Sequence, residues 1–210
     1  MTPLVTAVLT ALLAGVLTPL AQRVTDTPSR WLRWRTHVPL AAVGGAGAAV
    51  LADSWAELIT FAALAVGAAV LVVVDLSVHR LPDRIVGPLY PVLFAGLTVA
   101  AAVDGYWSSL GRAALAALVL LVGYFVLAFL SPSGLGLGDV KLSGLVGGFL
   151  GWLGWAHVLT GTLAAFVIGG LVAAVLLVIG RAGRHSDIAF GPWMMAGAVV
   201  GAAWGPLLVG

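Results

Sequence analysis

The chain has 210 residues, of which 61% are hydrophobic and 9% are charged, and its mean hydropathy is +1.13. Soluble domains carry about 25% charged residues, so this composition excludes a soluble globular protein and indicates a polytopic membrane protein. Ten basic and eight acidic residues give a net charge of +2, and the basic residues are scattered in short loops, so they form no continuous surface for nucleic acid. The absence of cysteine excludes disulfides and thiol catalysis.

Apolar runs predict eight membrane-spanning helices. A span needs about 20 residues, so a chain of this length has almost nothing left for a soluble domain. We therefore expect an all-α fold, with residues 1–210 forming a single membrane-embedded domain. The predicted spans, in chain order, are 3–22, 38–52, 58–74, 85–103, 110–130, 142–154, 157–180 and 188–209.

The first span is followed, and not preceded, by basic residues: Arg23, Arg30, Arg33 and Arg35. Positive charge accumulates in cytoplasmic loops, so this pattern places the N-terminus outside. A cleaved signal peptide would need a positive n-region and a small-residue cleavage site, so we expect an uncleaved span. Loop 23–37 also carries Trp31 and Trp34. An RNA-binding patch is one interpretation, but arginines at lipid headgroups with indoles in the aromatic belt are favoured.

The distribution of basic residues supports this orientation. With the N-terminus outside and eight spans, every basic residue except Arg112 falls in a cytoplasmic loop, as the positive-inside rule expects. The short second span is needed for this result, because merging it with the third would put Arg23 and Lys141 on opposite sides. An even number of spans also places the C-terminus outside.

Two aspartates lie at the cytoplasmic ends of predicted spans. Asp75 ends the third span, which runs inward, and Asp139 begins the sixth, which runs outward. A carboxylate at the edge of a span is costly to desolvate and is expected to face protein or water. Two carboxylates that approach closely share one proton, so one serves as acid and the other as base, and a water between them can attack an amide. The sequence indicates the shared side of this pair and leaves its distance open.

Glycines surround Asp139. Gly134, Gly136 and Gly138 lack a Cβ, so they permit positive φ and the close approach of another backbone, such as a peptide substrate. A flexible loop between helices is the alternative interpretation. The sixth span also carries two overlapping GxxxG pairs, which predict close helix packing: Gly144, Gly147, Gly148 and Gly151.

Three motifs resemble those of the type IV prepilin peptidases, membrane aspartyl proteases of the GxGD class. They are Asp75 with Leu81-Pro82-Asp83 after it, Gly136-Leu137-Gly138-Asp139-Val140-Lys141-Leu142, and Phe190-Gly191-Pro192. The resemblance covers most of the chain from the second span onward. It implies that Asp75 and Asp139 are the catalytic pair and that Gly136 and Gly138 are the signature glycines.

The resemblance also implies a substrate and a location. The family removes the short basic leader that precedes a pilin's hydrophobic helix, typically cutting after a glycine at the cytoplasmic surface. The implied partners are a prepilin, pseudopilin or Flp-type precursor and the lipid bilayer, and the implied location is the cytoplasmic (inner) membrane. The oligomeric state is left open.

One departure from the family concerns methylation. Many bacterial members carry a cytoplasmic domain with cysteine motifs and N-methyltransferase activity between their first two spans. Here only residues 23–37 stand in that place, and the chain has no cysteine. The chain is similar to the short, peptidase-only members, so we expect peptidase activity without methylation and without a metal or other cofactor.

Residues beside the aspartates admit two interpretations. Asp83 could orient substrate, but Pro82-Asp83 before a span also marks a helix start, with the acid at the positive end of the dipole. Lys141 could lower a carboxylate pKa, hold a substrate carbonyl or anchor at a headgroup. Catalysis by His79 is not expected, because the dyad supplies both proton states. Phe190-Gly191-Pro192 is expected to shape the last helix and pack beside the site.

The same residues also distinguish rival functions. Presenilin-type GxGD proteases carry Tyr-Asp and Pro-Ala-Leu motifs, whereas this chain has Val74-Asp75 and Phe190-Gly191-Pro192. A proton-coupled transporter could use the same two aspartates, but transporter sites lie near the midplane rather than at one face. A purely structural role would need neither acid.

Overall fold

The structure, a computed structural model, describes residues 2–25, 34–130, 135–180 and 189–209. All regular secondary structure in these ranges is helical, which confirms the all-α prediction. Expectations about Gly134, about most of loop 23–37 and about loop 181–187 lie outside the described residues. The helices are α1 (Pro3–Thr25), α2 (Trp34–Leu51), α3 (Trp55–Val78), α4 (Asp83–Asp104), α5 (Trp107–Leu130), α6 (Leu137–Leu153), α7 (Trp155–Val178) and α8 (Gly191–Val209).

Within the described ranges, four helices are long and apolar enough to cross a membrane, namely α3, α4, α5 and α7. Two further apolar stretches, Pro3–Pro19 and Thr36–Leu51, are shorter. Helix α6 has 17 residues and is roughly 25 Å long, against about 30 Å for the hydrocarbon core. The helices are thus those of a multi-pass membrane protein. The count of eight spans and the sides of the membrane on which the termini lie remain predictions.

The chain forms two compact units, Met1–Leu110 and Gly111–Gly210. In the first unit, α3 packs against α1, α2 and α4, and α1 packs against α2. In the second unit, α7 packs against α8, and both contact α6.

Two hydrogen bonds between side chains and backbone amides form the turn between α2 and α3. The Ser54 hydroxyl accepts a hydrogen bond from the Glu57 amide at 3.4 Å, and the Glu57 carboxylate accepts one from the Asp53 amide at 2.8 Å. These two bonds satisfy backbone donors at and before the helix start, as a capping box does, except that the carboxylate binds the amide of the residue before the N-cap. The turn between the two helices is therefore built into the sequence, and the short second predicted span is a helix in its own right.

Glycines join α5 to α6 in the second unit. A Cβ added at Gly147 would lie 2.6 Å from the Ala116 carbonyl oxygen, and one added at Gly151 would lie 3.0 Å from the Ala113 Cα. Only a hydrogen fits at these positions, as the GxxxG spacing predicts. At the C-terminal end of α6, the Arg112 side chain of α5 donates hydrogen bonds to the carbonyls of Gly151, at 2.7 Å, and Trp152, at 2.6 Å. These carbonyls are among those that a helix C-terminus leaves without partners.

Candidate active site

The predicted site residues divide between the two units. The first unit contains Asp75, Pro82 and Asp83. The second unit contains Gly136, Gly138, Asp139, Lys141, Phe190, Gly191 and Pro192.

Asp75 lies in the last turn of α3, because the helix continues to Val78 rather than ending before the aspartate. The side chain is only 3% exposed, although it carries a carboxyl group. Its neighbours in sequence, Val73 and Val74, belong to a buried apolar cluster with Val70. A carboxyl group held in such surroundings is costly to desolvate, which favours a functional role over a headgroup contact.

The backbone of Asp75 is fixed by the end of α3. His79 adopts the left-handed conformation, with φ 49° and ψ 38°, and its amide donates to the Asp75 carbonyl oxygen at 2.8 Å. A left-handed residue that returns a hydrogen bond to the last turn is a common helix ending. The stretch 75–84 between the third and fourth predicted spans is mostly helical in the structure, since α3 continues to Val78 and α4 already begins at Asp83.

Pro82 and Asp83 start α4, as the helix-start interpretation predicts. Pro82 occupies the N-cap with an extended backbone, φ −65° and ψ 134°, and its side chain makes no capping hydrogen bond. Asp83 is the first helical residue and is exposed. A carboxylate in the first turn is stabilised by the helix dipole. Because α3 ends where α4 begins, Asp83 and Asp75 lie toward the same end of the first unit.

Asp139 is part of a helix start rather than of a loop. Helix α6 begins at Leu137, five residues before the predicted start at Leu142, and Gly136 is its N-cap. The Gly136 amide donates to Oδ2 of Asp139 at 3.1 Å, as in a capping box with the acid at the third helical position. The carboxyl group is therefore held by its own helix start.

The signature glycines in the described residues do not use the positive φ that glycine permits. Gly136 has φ −80° and ψ 156°, and Gly138 lies inside the first turn of α6. The positive-φ glycines of the described ranges are elsewhere, at Gly105, Gly154 and Gly180. Gly136 instead supplies an extended N-cap whose amide reaches the Asp139 carboxyl.

The surroundings of Asp139 act on its proton affinity. The residue precedes the apolar part of α6, which starts at Leu142. Burial raises the pKa of the Asp139 carboxyl, and the hydrogen bond from the Gly136 amide opposes part of that rise. A raised pKa keeps the group protonated to a higher pH than the value of about 3.9 for an ordinary aspartate. Asp139 is thus suited to hold the proton of an acid pair.

Lys141 lies two residues after Asp139 on α6 and is exposed. Residues two apart on a helix do not face each other. This geometry favours a headgroup anchor over a direct effect of the ammonium group on the Asp139 carboxyl.

The Phe190-Gly191-Pro192 motif starts the last helix, as predicted. The Phe190 carbonyl accepts hydrogen bonds from the amides of Trp193, at 3.0 Å, and Met194, at 3.1 Å. The Phe190 ring lies 5.3 Å from the Phe166 ring of α7 and 6.2 Å from the Tyr124 ring of α5, centroid to centroid. The motif therefore fastens the start of α8 to two other helices of its unit.

Tyr124 is a residue of this region that sequence reasoning missed. It is 3% exposed and stacks on Phe166, with centroids 5.6 Å apart and planes at 27°. Asp139 lies close enough for its charge to act on the Tyr124 hydroxyl. The available signal was a tyrosine in an otherwise apolar run, which does not reveal its partner. In the described part of the chain, no three His, Cys, Asp or Glu side chains are grouped as metal ligands.

Known proteins resemble the chain over its central part. The type IV leader peptidase family matches residues 62–178, more than half of the chain, including both aspartates. The prepilin leader peptidase/N-methyltransferase of Stutzerimonas stutzeri is 29% identical over 139 residues, which cover 63% of this chain and 45% of that protein. Its counterpart from Aeromonas hydrophila is 31% identical over 143 residues, covering 64% and 46%. No solved structure matches the chain.

The chain spans about half the length of these curated relatives. The matched region contains α4, α5, α6, α7 and most of α3, and the Phe190 motif lies beyond it. Because the match covers more than half of the chain and includes the GxGD signature, the chain belongs to the type IV leader peptidase family.

Proposed function

We propose that this chain is a membrane aspartyl endopeptidase that removes the basic leader of type IV pilin-like precursors. Asp75 and Asp139 form its catalytic dyad at the cytoplasmic face of the inner membrane. The observation that carries the proposal is the family match over both aspartates. The two prepilin leader peptidase/N-methyltransferases support a prepilin, pseudopilin or Flp-type substrate.

The proposed chemistry divides the proton states between the two acids. One acid of such a pair holds the proton and the other is ionised. Because burial raises the pKa of the Asp139 carboxyl, we assign the proton to Asp139 and the role of base to Asp75. Asp75 takes a proton from a shared water whose oxygen attacks the scissile carbonyl, while Asp139 protonates the carbonyl oxygen. The tetrahedral intermediate then breaks its C–N bond as the dyad returns a proton to the leaving nitrogen. The two apparent pKa values belong to the pair.

The two units act together as one peptidase domain in this proposal. Asp75 ends α3 and Asp139 begins α6, and α4 and α5 lie between them in the chain. Two crossings return the chain to the same side, which puts both acids at one face with the N- and C-termini at the other. The chain acts without methylating its product, since few residues separate α1 from α2 and cysteine is absent.

The experiment is cleavage of a tagged prepilin or Flp-type precursor in membranes that contain the wild type, Asp75→Asn or Asp139→Asn. We expect the wild type to remove the leader and each variant to lose activity by about 10²- to 10⁴-fold, because neither acid can then complete the proton transfers. N-terminal sequencing of the product would locate the cut. Asp53→Asn, at an exposed position in the turn before α3, is the matched control and should cleave normally.

Processing by both variants at wild-type rates would contradict the proposal. It would move the proton-coupled transporter and the structural role ahead. The placement of the acids at helix ends, in the last turn of α3 and the first turn of α6, already disfavours a transporter site in the middle of the membrane.

A further inference from the structure

The packing of α5 against α6 aligns Tyr124 with Asp139. Gly147 meets Ala116, and Gly151 meets Ala113, so the two helices run antiparallel. Moving a given number of residues toward the start of α6 therefore reaches the same level as moving that number of residues toward the end of α5. Eight residues before Gly147 is Asp139, and eight residues after Ala116 is Tyr124. The helix register alone thus places the two residues at one level of the second unit.

Tyr124 also lies on the face of α5 that packs against α6. It follows Ala113 by eleven residues, close to three full turns of an α-helix. Ala113 contacts Gly151, and it is fully buried. The proximity of Asp139 to the Tyr124 hydroxyl agrees with this register.

Two aromatic rings hold the Tyr124 ring in place. Phe166 of α7 stacks on it at 5.6 Å, and Phe190 at the start of α8 approaches it at 6.2 Å. Helix α7 makes room for Phe190 at Gly169, where a Cβ would lie 3.1 Å from that ring. The hydroxyl is the polar atom of this three-ring cluster, which we call the aromatic cluster. Its orientation is therefore set by three helices.

Few other ionisable groups lie near Asp139 in the described part of the second unit. Arg112 binds carbonyls at the far end of α6. His157, near the start of α7, contacts the Gly201 carbonyl at 2.8 Å. Lys141 is exposed, and the described parts of α7 and α8 contain no other charged residue. The Tyr124 phenol is thus a buried neutral donor at the level of Asp139.

We propose that Tyr124 is a positioning residue of the peptidase, whose hydroxyl, held beside Asp139 by the aromatic cluster, donates a hydrogen bond to the Asp139 carboxyl in the substrate complex. This inference rests on the proposed function. A phenol with an ordinary pKa near 10 stays protonated at working pH and can donate. A donor at this place orients the carboxyl and stabilises the negative charge that Asp139 acquires as it gives its proton to the scissile carbonyl. In this proposal the Phe190-Gly191-Pro192 motif acts indirectly, because Phe190 orients the Tyr124 ring and does not contact substrate.

Tyr124→Phe tests the proposal, because it removes the hydroxyl and keeps the ring packing. Kinetics would be measured on purified enzyme with a synthetic precursor that has a basic leader, a glycine before the cut and an apolar helix. We expect kcat to fall about tenfold or more, as for loss of a hydrogen bond to a charged group, with KM within about twofold. The alkaline limb of the kcat/KM profile should move to higher pH, because Asp139 loses a donor to its ionised form.

Tyr106→Phe makes the same chemical change in the turn before α5 and should leave kcat and the pH profile unchanged. Phe166→Leu keeps the hydroxyl but loosens the ring, so it should lower kcat less than Tyr124→Phe does. An unchanged kcat and pH limb in Tyr124→Phe would overturn the proposal, and so would a rise in KM alone. These results leave the proposed function intact as long as Asp139→Asn is inactive. Cleavage by Asp139→Asn would instead contradict the proposed function itself.

Discussion

At the scale of single residues, His79 ends α3 in a conformation that few side chains adopt. The left-handed region costs an L-residue roughly 1–2 kcal/mol relative to the right-handed one, and glycine enters it without that cost. His79 is exposed and lies four residues from Asp75. Its backbone, rather than its imidazole, makes the contact with Asp75, through the 2.8 Å hydrogen bond to the Asp75 carbonyl.

We therefore predict that His79→Gly cleaves substrate within about twofold of the wild type and unfolds at the same or a higher temperature. The β-branched variant His79→Val should lose about 1–2 kcal/mol of unfolding free energy, because its side chain opposes positive φ. Thermal unfolding in detergent and the cleavage assay would check both variants. A stable but inactive His79→Gly protein would show that the imidazole takes part in the chemistry.

At this scale, the sequence indicated the two aspartates, because their charge is unusual in a membrane protein. It did not indicate Tyr124, because the partner of Tyr124 is distant in sequence. Asp75 and Asp139 stand out because a charge is rare beside apolar runs. Tyr124 does not, since a tyrosine is common in membrane helices and its relation to Asp139 depends on the register of α5 and α6. That register is set by contacts such as Gly147 with Ala116, between residues 31 positions apart.

At the scale of helices, the eight apolar runs predicted eight helices, while their ends were less accurate. The prediction for the sixth span started at Leu142, because Asp139 and Lys141 interrupt the apolar run. Helix α6 starts at Leu137, because the Gly136 cap and the Asp139 carboxyl satisfy its first backbone donors. Helix α3 likewise continues past Asp75 to Val78. Hydropathy marks where lipid can contact a helix, whereas caps decide where it begins and ends.

The contact between α5 and α6 gives a prediction for Gly147. A Cβ there would lie 2.6 Å from a backbone oxygen, so Gly147→Ala must move one helix. We expect a loss of about 1–3 kcal/mol in unfolding free energy, as for overpacking elsewhere. The matched control is Gly170→Ala on α7, where nothing lies within 4 Å of an added Cβ. That variant should be neutral or up to about 1 kcal/mol more stable, because alanine favours the helix.

Thermal unfolding of both variants in the same detergent would measure the difference. Equal stability of Gly147→Ala and Gly170→Ala would contradict the close packing of α5 and α6. The register that aligns Tyr124 with Asp139 would then lose its support as well.

At the scale of the whole molecule, the distribution of basic residues predicts which loops face the cytoplasm. The chain has no cysteine, so single-cysteine variants can be labelled without background. We predict that Ser108→Cys, at the start of α5, reacts with an impermeant maleimide in intact cells. Arg84→Cys, at the start of α4, should react only after permeabilisation. Both positions are exposed. Labelling of Arg84→Cys in intact cells would reverse the topology and remove the dyad from the cytoplasmic face.

The central claim is that Asp75 and Asp139 work as one pair, and cross-linking tests it most directly. The double variant Asp75→Cys/Asp139→Cys would be treated in membranes with a short bifunctional thiol reagent and analysed by mass spectrometry. The cross-linked product is covalent and accumulates with time. The reagent therefore detects the two cysteines even if they approach each other only transiently. We predict an intramolecular cross-link in this variant and none in the control Ser108→Cys/Asp139→Cys. Absence of the cross-link, with both cysteines singly reactive, would contradict the shared dyad.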